Sequence, residues 1–421
     1  MSKKKEYGKI FSQLLYNTLI FYFFQDILYR KVDILKIVGI VAEFNPLHNG
    51  HKYLLERARK HGDVVVTVIS SNFVQRGEPS VISKFERAKT AVLCGSDICI
   101  ELPTPWSMST AQNFAYGAIS QLSKFKINTL VFGSECGNID ALLKICNVLE
   151  SREFNLRIKN NINDGTTYAK LRQNILNEFL GGLSDILSNP NDTLAIEYIL
   201  AARKLKLNID FVPIKRVGTN HNDPFEKDEF SSSTLLRKAL KTQNTEYFSK
   251  YMPKESLDVL LNSNHSDIEK LNTAIMSNLK LKSSSNFNSL PDISEGIEKR
   301  LFEACKECTD YDDLCEKIKT KRYTLARIRR LVLSAFLGID NSLFLKEVPY
   351  ARVLATNNNG LEYIASVKNK NIVLQVSEIK KLDEMSRELF NLECKISDVY
   401  NLSLCRKEPS GSDFKNGLIK I

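Results

Sequence analysis

Two histidines three residues apart, His48 and His51, stand in a short polar turn with Gly50 between them. Imidazoles in such a turn can bind phosphate and stabilise charge that develops during its transfer. Gly50 lets the backbone come close to a ligand. A second group of this kind follows later: Ser232, Ser233 and Thr234, with Arg237 one turn on. Hydroxyls at a helix start with a following guanidinium make a phosphate clamp, or simply an N-cap beside a solvated arginine. Arg76, in the polar segment 71–79, could meet a carboxylate or phosphate, or lie in a surface turn. Lys215 and Arg216 close an apolar run and add two cations. Residues 317–333 carry Lys317, Lys319, Lys321, Arg322, Arg327, Arg329 and Arg330, with Leu325, Ile328, Leu331 and Val332 as an opposite apolar face. One helix so patterned could bind nucleic-acid phosphates or present a solvated face. No paired carboxylates and no Ser-His-Asp set suggest hydrolysis. Cys305-x-x-Cys308 with Cys315 has zinc-like spacing, but a second ligand pair is missing nearby, so no metal site is expected.

These residues need a frame, and the surrounding pattern supplies one. The apolar run 37–42 reads as a strand that delivers the histidine turn to a helix over 52–60. Free N–H groups and the helix dipole then point at the turn, which makes an anion site. Further apolar runs at 63–69, 97–102, 129–132 and 209–214 alternate with helical patterns at 83–95, 109–124 and 193–205. Ser83 reads as an N-cap and Gly95 as a stop. Asp192 is adequately explained as a helix cap. Such alternation predicts an α/β fold with a parallel, doubly wound sheet. Ligands in such sheets lie beyond the strand C-terminal ends. Those ends are the His48 turn, the 70–79 and 101–107 segments, and Gly133-Ser134-Glu135.

Composition sets outer limits. The 421 residues are 43% hydrophobic, enough for two or three packed domains. The formal net charge is +10, of which residues 1–36 supply +4 from seven basic and three acidic side chains. The remainder is spread thinly, so it permits a nucleic-acid partner without demanding one. Nine cysteines, an odd count in regularly patterned sequence, fit free thiols in a reducing compartment. A cytoplasmic protein is therefore expected. The aromatic-rich run 10–28 is interrupted by Gln13, Asn17, Gln25 and Asp26 and lacks a cleavage site, so it reads as neither signal peptide nor membrane span. Residues 1–34 are expected to be an upstream extension of the reading frame, with initiation at Leu35 from a non-standard start codon.

His-x-Gly-His at a first strand-to-helix turn, paired with Ser-Ser-Thr-x-x-Arg, resembles the nucleotidyltransferase signature that brackets ATP triphosphate. The longer motifs are more specific. The stretch 43–51, the segment 71–79, Phe132-Gly133-Ser134-Glu135, Ser188-Asn189-Pro190-Asn191, residues 214–216, 321–330 and 351–354 are similar to the bacterial tRNA(Met) cytidine acetate ligase family. The resemblance covers roughly residues 35–405. It implies a Rossmann-like (HUP-type) nucleotidyltransferase domain over 35–250. A mainly α-helical C-terminal RNA-binding region would follow over 251–421.

The activity implied is ATP-dependent: acetate is activated as acetyl-adenylate and passed to N4 of the wobble cytidine of elongator tRNA(Met), giving N4-acetylcytidine. His48 and His51 would be catalytic, with Arg216 and Arg237 helping them neutralise charge and Mg²⁺ assisting. The family's ATP stretch maps onto Val41, Ala42, Glu43, Phe44, Asn45, Pro46, Leu47, His48, Asn49, Gly50, His51, Lys52, Tyr53 and Leu54. Further ATP contacts map onto Gly133, Asn191 or Asn189, and Arg216, with Ser233, Thr234 and Arg237 as the second clamp. Arg322, Arg327 and Arg330 would contact tRNA. No membrane and no obligate protein partner are expected. A ligase acting on a protein-bound thiol, as in the citrate lyase ligases, a cofactor adenylyltransferase, and a non-catalytic RNA-binding module are the alternatives.

Overall fold

The apolar runs are strands, and they bury both faces. A computed structural model describes residues 35–161, 168–216, 231, 233–241, 245–294, 296–320, 323–345 and 347–421. The expected upstream extension, 1–34, lies outside them. The elements that position the site are, in chain order, β1 (Ile37–Ala42), α1 (Asn49–Arg59), β2 (Val64–Ser70) and a small hairpin, β3 (Phe73–Val74) with β4 (Glu78–Pro79). Next come α2 (Lys84–Leu93), β5 (Ile98–Leu102), α3 (Ala111–Ser123), β6 (Thr129–Ser134), α4 (Ile139–Glu150), α5 (Pro190–Lys204) and β7 (Asp210–Lys215).

Strands β5, β2, β1, β6 and β7 lie side by side and parallel. In β1, Ile37 and Val41 face the helices α3, α4 and α5, while Val38 and Ile40 face α1 and α2. This period-two division between two apolar cores is what a doubly wound sheet requires.

The second half of the chain departs from the expected division. Helices α6 (Ser233–Lys241), α7 (Lys254–Asn262), α8 (Asn272–Lys280), α9 (Ile297–Glu307), α10 (Tyr311–Ile318) and α11 (Leu325–Leu337) do follow. The chain then re-enters the sheet. Strand β8 (Ala351–Thr356) pairs antiparallel with β5, and β9 (Ile372–Val373) pairs with β8. After the long α12 (Glu384–Ser403), β10 (Ile419–Lys420) forms the edge. Residues 251–421 are thus not a separate helical domain, because the fully buried β8 needs the flank of β5 to cover it. Ile37–Ile421 is one compact unit.

The basic stretch 317–333 is not one helix. Helix α10 ends at Ile318, and Thr324 caps α11 by accepting a hydrogen bond from the Arg327 N–H. A Thr whose hydroxyl satisfies a free N–H starts a new helix rather than continuing one. Helices α8 to α11 pack with α12 around a second core that holds Cys305, Cys308 and Cys315. Burial pushes these thiols up, Cys315 to about 12, so they act as small apolar side chains. Phe73 of the hairpin inserts into the same core and packs edge-on against Tyr400. The hairpin therefore joins the ligand side of the sheet to the helical layer.

A buried ionic cluster fixes the returning chain. Lys84 on α2 meets Glu101 of β5 at 2.6 Å and Asp413 at 2.7 Å, and Arg352 of β8 also pairs with Asp413. Glu393 of α12 accepts from the Thr104 N–H at 2.6 Å and from the Ser71 hydroxyl at 2.8 Å. Burial, then repulsion from Glu101, raises the Glu393 carboxyl to about 7. Against the burial that would raise it, Lys84 and Arg352 hold Asp413 down to about 2.

Candidate active site

β1 ends in a sharp turn because Phe44 takes a left-handed conformation (φ 47°), and His48 then caps α1 in extended backbone. The helix begins three residues earlier than its apolar pattern suggests, so both histidines belong to its first turn. His48 Nδ1 accepts from the Gly50 N–H at 3.1 Å, and His51 Nδ1 accepts from the His48 N–H at 3.4 Å. Two imidazoles thus close a reciprocal capping box. A nitrogen that accepts from an amide carries no proton, so each neutral ring holds its hydrogen on Nε2. The rings stack with centroids 3.8 Å apart, and Phe44 packs edge-on against His51 at 5.1 Å.

Burial, reinforced by the Arg216 charge, pushes His48 down to about 3. Burial, His48 and Arg216 hold His51 well below its ordinary value. Both are therefore neutral N–H donors near pH 7. The expected charge neutralisation does not come from them. The positive charge around the turn is carried by Arg216, Arg76 and Arg237.

The shared influence of Arg216 places the end of β7 beside this turn. Its guanidinium donates to Asn191 Oδ1 at 3.3 Å and lies over Gly133, where an added Cβ would meet the Arg216 chain at 3.7 Å. Gly133, Asn191 and Arg216 are thus brought together. Asn191, not Asn189, is the asparagine that reaches the arginine. Glu135 holds Asn191 by its side-chain amide (2.5 Å) and the α5 start by the Asp192 N–H (2.9 Å). Asp192 is buried and accepts from Ser134 Oγ and the Cys136 N–H. Helix capping alone does not describe it: it ties the β6 turn to α5.

A third group closes the opposite side. Arg76, at the hairpin turn, donates to Thr234 Oγ1 at 3.1 Å, and Arg237 donates to the same oxygen at 3.4 Å. Arg237 also donates to the Asn45 carbonyl at 3.0 Å and lies 3.3 Å from Glu78. The second clamp therefore includes Arg76 and sits against the histidine turn. Ser233 is at the start of α6, partly buried; Ser232 lies outside the described residues. The Glu43 side chain accepts from the Gln75 N–H at 2.9 Å. Burial raises its carboxyl against the pull of Arg76, Arg237 and Arg87.

Several residues of the stretch 41–54 shape the turn from behind. Phe44 and Leu47 belong to the apolar core shared with α1 and α2, and Leu54 packs against it. Asn45, followed by Pro46, accepts from the Val81 N–H at 2.7 Å. Asn49 donates to the Lys250 carbonyl, Lys52 pairs with Glu255 at 3.7 Å, and Tyr53 carries Arg57 over its ring. Val41 and Ala42 present backbone at the end of β1.

The proposed tRNA arginines are placed differently. Arg322 lies outside the described residues. Arg327 donates to the Asp292 carbonyl and to Ser294 Oγ, while Arg330 pairs with Asp292 and donates to the Gln75 carbonyl at 3.2 Å. Both are mostly buried, at 19% and 16% side-chain exposure, so they hold the hairpin and the 292 turn instead of an open face.

Arg87 and Lys84 escaped sequence reasoning. Arg87 donates to the carbonyls of Glu43, Ser71 and Ile82, locking the ends of β1 and β2 together. Two cations at i and i+3 on a helix that follows a ligand-side loop, and an acid inside the apolar run 98–102, are the signals that could have found them.

A model of the HIGH nucleotidyl transferase family matches residues 35–415. A tRNA(Met) cytidine acetate ligase of Clostridium kluyveri is 36% identical over 87% of this chain and 95% of its own length. This chain belongs to the tRNA(Met) cytidine acetate ligase family of HIGH nucleotidyltransferases. Another member of the family, from a Thermoanaerobacter species, is 34% identical over 91% of this chain and 100% of that protein. Among solved structures, Thermotoga maritima TmcAL bound with alpha-thio ATP has a TM-score of 0.84 and 29% identity, covering 92% of this chain and 100% of that one. Its apo form has a TM-score of 0.85 at 30% identity with the same coverage.

Proposed function

We propose that this protein is an ATP-dependent ligase that activates acetate as acetyl-adenylate and transfers the acetyl group to N4 of the wobble cytidine of elongator tRNA(Met). One observation carries the reading: two neutral imidazole donors at a helix start face Arg216, Asn191 and Gly133 from one side and Arg76, Thr234 and Arg237 from the other. An acetate oxygen attacks the α-phosphorus, and pyrophosphate leaves. Acetate is a weak nucleophile, so alignment and stabilisation of the transferring phosphoryl group must supply most of the rate. His48 and His51 donate through Nε2 to phosphate oxygens. Arg216, Arg76 and Arg237 balance the charge that leaves on pyrophosphate.

Magnesium would enter as the nucleotide complex. Mg²⁺ typically keeps waters and substrate phosphates as ligands. Among the described residues no group of three His, Cys, Asp or Glu converges to cage one. Such an ion would neutralise triphosphate charge, while Arg216, Arg76 and Arg237 hold the phosphates.

The tRNA would approach past the hairpin and α11. Arg322, outside the described residues, is the remaining candidate of the three for a phosphate contact. Arg330 acts by holding the hairpin and Arg327 by holding the 292 turn. A cytoplasmic setting fits this substrate, and among the described residues no helix is long and apolar enough to cross a membrane. The test is ATP–pyrophosphate exchange with and without acetate, then labelled acetate transfer to tRNA with chromatography for N4-acetylcytidine. Exchange that ignores acetate, or label that reaches only protein, would refute the reading.

A further inference from the structure

We propose that Glu43 is the general base of the second half-reaction, accepting the proton that the cytidine amine sheds as it is acetylated. The inference rests on the proposed function and names the residue that completes it. The exocyclic amine of cytosine is a poor nucleophile because its lone pair is delocalised into the ring. Its nitrogen attacks the acetyl carbonyl carbon, and the new C–N bond leaves that nitrogen positively charged. The C–O bond to AMP then breaks, and AMP departs with the electron pair. One amine proton must go elsewhere, and a positioned base speeds such a transfer by roughly 10²–10⁴.

Glu43 is placed for this. It is the first residue past β1, so it stands at the C-terminal edge of the sheet where the adenylate would form. Along β1 the alternation puts Val41 on the α5 face, and Glu43 follows it on that side, electrostatically close to Tyr198 of α5. The histidine pair lies on the other side, at the start of α1. The carboxylate is therefore set off from the histidine donors, with Arg76 and Arg237 as its charged neighbours.

One oxygen, Oε1, is fixed by the Gln75 N–H. Among the described residues, no hydrogen bond engages the second oxygen, Oε2. The Gln75 carbonyl is in turn held by Arg330 of α11. A strap from the helical layer thus positions the base, with Arg330 as a positioning residue. Burial raises the Glu43 carboxyl, while the Gln75 N–H, Arg76 and Arg237 pull the other way. A carboxylate raised above its ordinary range is a better proton acceptor than a solvated one.

The test uses the full chain and two readouts. Glu43→Gln keeps an acceptor for the Gln75 N–H but cannot take a proton. The ratio of tRNA acetylation to acetate-dependent exchange should fall by about 10²–10⁴, and the acid limb of the acetylation–pH profile should disappear. Glu43→Asp, which retains a carboxylate, should recover part of the ratio. If both activities of the Gln variant fall equally, Glu43 belongs to the ATP site and the proposal is wrong. If the ratio stays within about threefold, well short of that loss, the amine proton leaves to solvent and the proposal is equally wrong. Wild-type protein separates this from the parent reading: if it exchanges with acetate but never acetylates tRNA, the proposed function fails whatever Glu43 does.

Discussion

Replacing His48 by asparagine should stabilise this protein in acid while crippling it as an enzyme. His48 is the N-cap of α1, and its Nδ1 accepts from the Gly50 N–H. Asparagine is among the best N-cap residues and can accept the same bond, so the helix start should survive. Asparagine does not titrate. In the folded protein His48 is held at about 3 by burial and by Arg216, against an ordinary value of 6.5. The unfolded chain therefore takes up a proton below the ordinary value that the folded chain refuses. Wild type must lose stability as pH falls from that value towards the folded one. At about pH 5 the penalty is about 2 kcal/mol, from RT ln(1 + 10^1.5), and at about pH 7.5 it is negligible. His51 is present in both proteins and cancels to first order. Urea melts of wild type and His48→Asn at the two pH values give the difference directly. The variants should match at the higher pH, and His48→Asn should be more stable at the lower. Acetate-dependent exchange should fall by ~10²–10³, the usual loss of one transition-state donor. A stability difference that does not change with pH would refute the neutral, Nε2-protonated histidine and the donor role built on it.

Other perturbations follow the same geometry. Arg237→Lys should raise the ATP requirement about tenfold or more, because an ammonium cannot hold the Asn45 carbonyl, Thr234 and a phosphate together; steady-state kinetics with varied ATP measure this, at roughly 1.5–3 kcal/mol per charge-assisted bond lost. Gly77→Ala forces a side chain onto a φ of 73° and puts its Cβ 2.7 Å from the Arg330 backbone nitrogen. The hairpin must lift from α11, so stability should fall by ~1–2 kcal/mol or more, and tRNA acetylation should fall further than exchange. Lys84→Met removes one of the two cations, Lys84 and Arg352, that face buried Glu101 and Asp413, and should cost ~3–5 kcal/mol in urea melts. Arg330→Ala should slow acetylation while leaving the salt dependence of tRNA binding almost unchanged, because Arg330 is spent on Asp292 and Gln75; a slope reduced by about one contact would restore it to the RNA surface.

Local chemistry in the chain determined the frame and the places of several candidate residues in it. The runs 37–42 and 129–134 must be strands, because residues apolar on both faces are soluble only inside a parallel sheet. A histidine turn between such a strand and a helix must face the sheet's C-terminal edge, so the place of His48 and His51 in the fold was legible. The Ser-Thr-x-x-Arg group was legible for the same reason, since hydroxyls at a helix start meet free N–H groups. Long-range pairing decided the rest. Nothing near residue 351 says that this segment returns to β5, because only the uncovered flank of a finished sheet makes that favourable. Arg327 and Arg330 looked like an RNA face until Asp292, a residue far from them along the chain, neutralised them. The histidines looked like cations until burial and Arg216 removed their charge. Residue type states what a side chain can do; its charge state and its partner depend on which distant segments fold against it, and only the tertiary structure brings those segments together.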